Sequence, residues 1–308
     1  MVTLPDIWDL HLIDGDRIIH AAGHSSQKVV KGEVVHIDDV SFALQKVKLA
    51  VAGLKDIIKA KTRRIFIGNP DVKHFRYAIA KIQPYKEHRG KQARPAYEKE
   101  IREYLIKYHK AEVVTGIETD DALGIEQMKC VKAGGTSIIS SSDKDLNMIP
   151  GGHHDMDWGK IRTFKENEYV MKSYLKTNIA WIDDPGFLSL RTYGVNKKKK
   201  LIGGGQLWFA AQLLTGDKTD NIPGCIVHTK TGKELTIGDV TAYDILKDVK
   251  TFEQAIKTVW VQYQVSFAKK LTPEETFNRF IEVAKLVWIK RETTMREKIF
   301  PLDWVKVE

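Results

Sequence analysis

The sequence predicts an α/β protein with a mostly parallel central sheet flanked by helices and followed by a helical C-terminal lobe. Over the first half of the chain, short apolar segments typical of strands alternate with segments of helical periodicity. From about Gly203 onward, segments of helical periodicity dominate. Alternating strands and helices are typical of a parallel sheet with helices on its faces, and such sheets bind ligands at the carboxyl ends of their strands.

The strands of the predicted sheet are short and apolar, and they cover residues 10–14, 64–68, 113–114 and 136–140. Three helices separate them. Asp38 or Asp39 caps the first, which carries apolar residues at roughly helical spacing. Pro95 begins the second. Thr119 caps the third, which continues to Val131 and ends before two glycines.

The C-terminal lobe is predicted from four helical segments, at residues 206–214, 240–246, 252–267 and 273–289. A boundary near residues 190–200 divides the chain into a core, residues 1–195, and a helical region, residues 196–308. The lysines at 197–200 are expected to form a basic loop there. The tryptophans at positions 208, 260 and 288 lie at apolar, helical positions and are expected in the core.

The balance of charges points to a polyanionic partner such as nucleic acid. The 308 residues have a formal net charge of +9 and a sequence pI of about 9.2. Cys130 and Cys225 provide neither a disulfide framework nor metal-knuckle spacing, so a reducing compartment is expected. We expect no signal peptide and no membrane span, which predicts a cytoplasmic protein.

Acidic residues follow the predicted strands. Taken alone, each group is explained by a turn or a helix cap. Their recurrence at strand ends instead favours one shared site, because the carboxyl ends of neighbouring parallel strands meet at one edge of a sheet. Carboxylates crowded together need cations, and oxygen ligands suit Mg²⁺ or Mn²⁺. The acids are Asp14, Asp71, Glu118, Asp120, Asp121, Asp143 and Asp145, with Asp217 and Asp220 in a later loop.

The segment "SSDKD", residues 141–145, poses the sharpest question. Asp143 and Asp145 directly follow an apolar strand, with Lys144 between them. Two like charges in such a place are either solvated turn residues, or they flank something positive.

The ordered set of acidic motifs resembles the five-prime nucleases, the flap endonucleases and five-prime-to-three-prime exonucleases of phages and of bacterial polymerase I. The motifs are Asp14, Asp71, "ETDD" at 118–121, "SSDKD" at 141–145 and "GDKTDNIPG" at 216–224. The resemblance covers roughly residues 10–250 and is greatest to the small phage exonucleases. It implies that the nine acids named above form a metal cluster.

This resemblance also implies an activity: metal-dependent hydrolysis of DNA from five-prime ends and at five-prime flaps, in replication, primer removal or DNA degradation. The expected cofactors are two Mg²⁺ ions, for which Mn²⁺ substitutes, and a monovalent cation such as K⁺. The expected substrate is duplex DNA with a five-prime end or flap, and an RNA–DNA hybrid is a further candidate. For a phage protein, the expected location is the host cytoplasm.

Family members carry a basic helical arch, and residues 74–110 fit it, with ten Lys or Arg against four Glu. Within it, "PYKEHRG" resembles the arch element of the family, which implies that Lys86 and Arg89 contact the phosphate at the scissile bond. Tyr85 is expected to stack on a base or sugar. Lys91 and Arg94 are expected to bind DNA. The alternative is a solvated amphipathic helix.

The family's duplex-gripping helical hairpin is modified in this sequence. Gly238 and Thr241 match the end of its pattern, but an insertion at residues 227–235 separates them from Gly224. Lys230 and Lys233 in the insertion are expected to contact phosphates directly. We therefore expect a modified helix-hairpin-helix-like element.

Two other interpretations remain open: a PIN-like ribonuclease, which shares a strand-end acid cluster, and a non-catalytic protein that binds DNA junctions. One further metal-like motif, His153-His154-Asp155, is expected to be a hairpin loop.

Overall fold

The structure is a computed structural model that describes residues 5–31, 33–87, 93–156, 185–194, 197–228, 231 and 233–305. A five-stranded sheet lies at its centre, and every neighbouring pair of strands in it is parallel. Helices flank the sheet and dominate the C-terminal part. The α/β fold class expected from the sequence is confirmed.

The strand order of the central sheet brings distant parts of the chain together. Its strands, in chain order, are β1 (Trp8–Asp14), β4 (Ala60–Gly68), β5 (Glu112–Val114), β6 (Ser137–Ser141) and β7 (Gly152–Asp155). Their spatial order is β5-β4-β1-β6-β7. Strand β1 therefore lies between β4 and β6, and the residues that follow these three strands share one edge of the sheet. A separate hairpin, β2 (Gln27–Val30) and β3 (Glu33–His36), lies outside this sheet.

The helices of the first half are α1 (Gly15–His24), α2 (Val40–Ile57), the single turn α3 (Arg76–Ile79), α4 (Glu98–His109) and α5 (Thr119–Lys132). Asp39 caps α2, as predicted, by accepting from the backbone N–H groups of Ser41 and Phe42. Helix α5 is capped by Glu118 rather than by the predicted Thr119, in a capping box completed by Asp121.

Two elements near the site were not predicted. Helix α1 begins directly after β1, where Gly15 lets the helix approach β4 closely. A Cβ atom at Gly15 would lie 2.7 Å from the carbonyl oxygen of Phe66. The expected loop at residues 153–155 is wrong, because these residues lie in β7, which pairs with β6. A four-residue strand with two histidines carries no clear period-2 pattern.

The C-terminal half begins with the hairpin β8 (Phe187–Tyr193) and β9 (Lys198–Gly204). The predicted boundary at 195–196 lies outside the described residues and stays a prediction. The expected basic loop is instead mostly strand, because Lys198, Lys199 and Lys200 lie in β9 with exposed side chains. Four helices follow: α6 (Gly205–Thr215), α7 (Asp239–Leu246), α8 (Phe252–Phe267) and α9 (Pro273–Val287).

Short hairpins connect these helices. Strands β10 (Gly216–Asp217) and β11 (Ile222–Pro223) form the first, and β12 (Ile226–His228) and β13 (Glu234–Thr236) form the second. The strands of the second hairpin contain both ends of the predicted insertion, residues 227–228 and 234–235. Gly216 ends α6 with φ 64°, and a Cβ atom there would lie 2.3 Å from the carbonyl oxygen of Ile222, so the turn requires glycine.

Two apolar cores cover the faces of the central sheet. One, under α1, α2 and α4, contains Ile13 and Ile101. The other extends from Leu12 to Phe280 and therefore joins the sheet to the C-terminal helices. The predicted burial of the three tryptophans at 208, 260 and 288 is confirmed, since each is 5–6% exposed. Among the described residues, none of the helices combines the length and apolar character needed to cross a membrane.

Helix α8 offers a matched pair for testing the core. Val259 is 0% exposed and Val261 is 56% exposed. We expect Val259→Ala to lower the free energy of unfolding by about 1.5–3 kcal/mol, since it removes buried methyl groups. Val261→Ala should change it by no more than about 0.5 kcal/mol. Urea denaturation measures both values, and equal effects would contradict the described orientation of α8.

Candidate active site

An open cleft of about 750 Å³ lies at the carboxyl edge of the central sheet. The residues that follow β1 and β6, the start of α5 and the loop after β10 all contribute to it. Seven carboxylates line it: Asp14, Asp16, Glu118, Asp120, Asp143, Asp145 and Asp220. The structure therefore brings together six of the nine predicted acids, and adds Asp16.

Asp14 lies at the end of β1 and caps α1. Its carboxylate accepts from the backbone N–H of Arg17 at 3.1 Å and from the Ser141 hydroxyl at 2.7 Å. Burial, together with the nearby charges of Asp16 and Asp143, raises the pKa of Asp14 to about 7. The charged form of Asp14 is therefore disfavoured unless a cation lies beside it.

Asp120 lies in the first turn of α5. Within the described part of the chain, its carboxylate accepts no hydrogen bond, and burial followed by the charges of Asp143 and Asp14 raises its pKa well above the usual range. This carboxylate is therefore available to a ligand from the cleft.

Asp143 and Asp145 lie on the turn that follows β6. Asp143 accepts from the backbone N–H of Asp145 at 2.8 Å and so caps a short 3₁₀-helix, residues 144–148. Asp145 accepts from the Gln212 side-chain amide at 2.5 Å. Burial and the charge of Asp143 raise the pKa of Asp145 to about 7. Hydrogen bonds therefore fix both residues on the turn, where Asp143 is exposed and Asp145 is half-buried.

The positive group beside this pair is Lys144. Its ammonium group lies 2.8 Å from Asp145 and 2.8 Å from Asp217. Burial would raise the pKa of Asp217, but the charge of Lys144 and its hydrogen bond hold it below the usual range. Lys144 thus connects Asp217, which does not line the cleft, to Asp145, which does.

Glu118 is surrounded by positive and hydroxyl groups of the protein. It accepts from Arg76 at 2.8 Å, from the Tyr85 hydroxyl at 3.0 Å and from Lys86, and His74 lies 3.3 Å away. Burial would raise its pKa, but Lys86 and Arg76 lower it to about 2. Glu118 is therefore an anchor for cationic side chains in this structure.

Two predicted metal ligands lie elsewhere. Asp121 is 0% exposed, and its carboxylate accepts two hydrogen bonds from Arg76, at 2.6 and 2.8 Å, and one from the backbone N–H of Lys290 at 2.9 Å. Asp71 is exposed and lines a separate cleft of about 530 Å³ with Arg94. Neither carboxylate lines the acidic cleft, and we therefore assign no metal to them.

Two functional residues escaped the sequence analysis. Asp16 accepts from the backbone N–H of Gly68 at 2.9 Å and the Thr119 hydroxyl at 2.6 Å, and so ties α1 to β4 and α5. Its only signal was the spacing Asp14-Gly15-Asp16, which a turn also explains. Arg76 gave no signal, since a basic segment usually marks a solvated surface, whereas Arg76 is 1% exposed.

The predicted arch residues fall into three groups. Lys86 lies against Glu118, and its backbone N–H donates to the carbonyl of Asp220 at 2.9 Å. Tyr85 is 5% exposed and donates to Glu118 and Asp220, so its ring is not free to stack on a base as predicted. Arg89 and Lys91 lie outside the described residues. Helix α4 packs Ile101 and Leu105 into the core.

The predicted duplex-binding residues lie on the second hairpin and the helix after it. Lys233 is exposed beside β13. Gly238 caps α7, and Thr241 lies in its exposed first turn. Lys230 lies outside the described residues.

The donor set of the cleft fits a hard divalent cation, although in the described part of the chain no three Asp, Glu, His or Cys side chains are already arranged as a metal site. All the candidate ligands are carboxylate oxygens, as Mg²⁺ and Mn²⁺ prefer. Burial, followed by the charges of neighbouring carboxylates, raises the pKa of Asp14, Asp120 and Asp145, so their ionised forms need positive charge nearby. Lys86 and Lys144 provide part of it.

No protein-family model matches this chain, and no curated protein matches it. Solved structures from bacteriophage T5 share its fold. One is a protein co-crystallised with metal ions, 14% identical, covering 91% of each chain with a TM-score of 0.50. Another is a flap endonuclease in a pseudo-enzyme-product complex with DNA and metal ions, 15% identical over 91% of this chain and 90% of that one, with a TM-score of 0.50. The chain thus shares the fold of this phage flap endonuclease.

Arg76→Met tests the buried ion pairs behind the cleft. The substitution leaves the carboxylate of Asp121 buried without a cation, so the free energy of unfolding should fall by about 3–5 kcal/mol. Arg296→Met, at an exposed position, is the control and should be nearly neutral. Urea denaturation compares the two, and a loss below 1 kcal/mol for Arg76→Met, roughly the value of an exposed pair, would contradict the assignment.

The pH dependence of the free energy of unfolding tests whether the carboxylates of the cleft are crowded together. Asp145 has a raised pKa in the folded protein, so between about pH 4 and 7 the folded state holds a proton that the unfolded chain releases. Its contribution to the free energy of unfolding therefore falls as the pH rises and is fully lost above 7. Asp145→Asn should accordingly stabilise the metal-free protein more at pH 8 than at pH 5.5.

This measurement compares the variant with the wild type at each pH, in EDTA. The comparison is needed because His11, His153 and His154 have pKa values lowered by burial, and they make stability rise with pH through the same range. These histidines are present in both proteins, so their effects cancel in the difference between the two free energies of unfolding. An Asp145→Asn effect that is equal at both pH values would show that Asp145 is not under charge strain.

Proposed function

We propose that this protein is a five-prime nuclease: a metal-dependent phosphodiesterase that hydrolyses DNA from five-prime ends and at five-prime flaps. The observation that carries the proposal is the cleft at the carboxyl edge of the sheet, where seven carboxylates converge and Lys86 lies among them. A site built only to bind DNA has no use for this much negative charge, because it repels phosphates.

The fold supports the proposal. A phage protein with the same fold is a flap endonuclease that has been crystallised with DNA and metal ions. The basic overall charge supports a polyanionic substrate. No separate protein nucleophile is needed for such a hydrolysis, since water is the attacking group.

We assign the metal ligands from the geometry of the cleft. Asp14, Asp120, Asp143 and Asp145 would hold the divalent cations. Asp220 also lines the cleft, and Asp217 contacts Asp145 through Lys144. When bound, two such ions would lower the pKa of an attacking water and stabilise charge on the reacting phosphate. Glu118, which the family resemblance places in the metal cluster, would instead position Lys86.

The side chains of the protein have two further roles in this proposal. Lys86 extends into the cleft from the segment before α4, and it would contact the phosphate at the scissile bond as an electrostatic clamp. Asp220 and Glu118 hold this segment in place through the hydroxyl of Tyr85. The ammonium group of Lys86 would therefore already be in place when the phosphate at the scissile bond enters the cleft.

Contacts outside the cleft would bind the duplex. Lys233 on the second hairpin, with Gly238 and Thr241 at the start of α7, would contact the phosphate backbone together with Lys230. Arg94 on its separate cleft, with Lys91, would act on the single strand or the five-prime end. Arg89 is still expected beside Lys86 at the scissile phosphate. A K⁺ ion near α7 remains a prediction.

The working metal ion, the cellular process and the range of substrates are also proposals. We expect Mg²⁺ as the working ion with Mn²⁺ as a substitute, and a part in replication, primer removal or DNA degradation. RNA–DNA hybrids are a second proposed substrate. The PIN-like ribonuclease and the DNA-junction binding protein are tested by the same experiment.

The experiment uses a five-prime-labelled DNA flap, a matched duplex and a single-stranded RNA. With Mg²⁺, the wild type should release short five-prime products from the flap, and EDTA should abolish the release. Asp143→Asn should lower the cleavage rate at least about 100-fold, comparable to the loss of one major electrostatic group, while DNA binding is retained. The control is Asp71→Asn, which should keep most of the activity.

Each alternative outcome has a clear meaning. Binding of the flap without cleavage would establish the junction-binding protein, and cleavage of RNA alone would establish the ribonuclease. If Asp143→Asn cleaved at the wild-type rate, the metal assignment would be wrong.

A further inference from the structure

The side chain of Lys144 holds together two acids that are far apart in sequence. Its ammonium group lies 2.8 Å from Asp145, on the turn after β6, and 2.8 Å from Asp217, in β10. Asp145 also accepts from Gln212, and Asp217 from the backbone N–H of Thr219 at 2.7 Å. The acids are thus held by several partners, whereas Lys144 is the charge that compensates both.

The two acids and the lysine differ in exposure. The side chains of Asp145 and Asp217 are 18% and 8% exposed, but that of Lys144 is 54% exposed. A lysine ammonium is a compact charge on a flexible stem, so it can move from the acids into solvent without a change in the backbone. The ring of Trp208, 6.0 Å from the ammonium group, is a second partner for it.

We propose that Lys144 occupies the position of a divalent cation in the metal-free protein, and that it must move away before that cation binds between Asp145 and Asp217. This inference rests on the proposed metal-dependent function. It makes Lys144 a positioning residue that weakens and thereby sets the metal affinity of this side of the cleft.

The physical basis is competition for the same oxygens. A single positive charge relieves part of the repulsion between the acids, and a dication relieves more. If the dication binds while Lys144 stays, the two cations repel each other at short range. If Lys144 leaves, the ion pairs it made are lost. In both cases Lys144 reduces the net free energy of metal binding, while stabilising the metal-free fold.

Lys144→Met tests this because methionine keeps an unbranched apolar stem and removes the charge. The matched control is Lys257→Met, since the side chain of Lys257 is also 54% exposed and pairs with Glu253 at 2.6 Å, in α8. Isothermal titration with Mn²⁺, without DNA, should show binding at least about tenfold tighter for Lys144→Met than for the wild type or the control, since the variant lacks the charge that competes with the dication for the same oxygens.

A second measurement separates this role from a structural one. In EDTA, Lys144→Met should unfold at a lower urea concentration than the wild type, and saturating Mn²⁺ should raise its midpoint by more than it raises that of the wild type. A lysine that only supports the fold would lower stability without tightening metal binding. If Lys144→Met does not fold, Lys144→Gln keeps a hydrogen-bond donor without the charge and should show the same tighter binding.

The outcomes are distinguishable. Equal or weaker Mn²⁺ binding by the folded variants, in a wild type that binds Mn²⁺ and cleaves the flap, would overturn the role of Lys144 and leave the proposed function intact. A wild type that binds no Mn²⁺ and cleaves nothing would overturn both.

Discussion

The hydrogen bonds of Arg76 are the interaction on which the architecture of the cleft depends. The guanidinium group has five N–H donors, and it makes five hydrogen bonds: to Glu118, twice to Asp121, and to the carbonyl oxygens of Leu286 and Trp288. The pair of Arg76 and Asp121 is buried and fully hydrogen-bonded, which is the condition under which a buried ion pair is tolerated. It joins the start of α5 to the end of α9. The acidic residues at the start of α5 are therefore held in place by the C-terminal lobe.

The remaining carboxylates of the cleft are not compensated in this way. Lys86 and Lys144 provide single ammonium groups instead, and each lies against two acids of different segments. The side chain of Lys86 is 10% exposed, whereas that of Lys144 is 54% exposed. For the proposed metal-dependent function, the exposed ammonium group of Lys144 is the one that would give way to a metal ion.

The sequence predicted much of the fold around the cleft correctly, because strand ends and apolar periodicity are local properties. Helix α8 was predicted with its observed bounds, and the strand before Asp143 within one residue. Predictions failed where the pattern was short or ambiguous. The Asp14-Gly15-Asp16 sequence is compatible with a turn and with the start of a helix, and only the close packing of α1 on β4 selects the helix.

The sequence by itself determined the fold class, the basic character of the protein and the set of acids that follow the strands, because these depend on composition and on order along the chain. It could not determine which acids share the cleft. Asp120 and Asp121 are neighbours in sequence, but the helical rotation of about 100° per residue sends one to the cleft and the other to Arg76. Nor could it show that Lys144 reaches Asp217 across 73 positions. Charge pairing between distant segments depends on distances in space, and only the tertiary structure sets those distances.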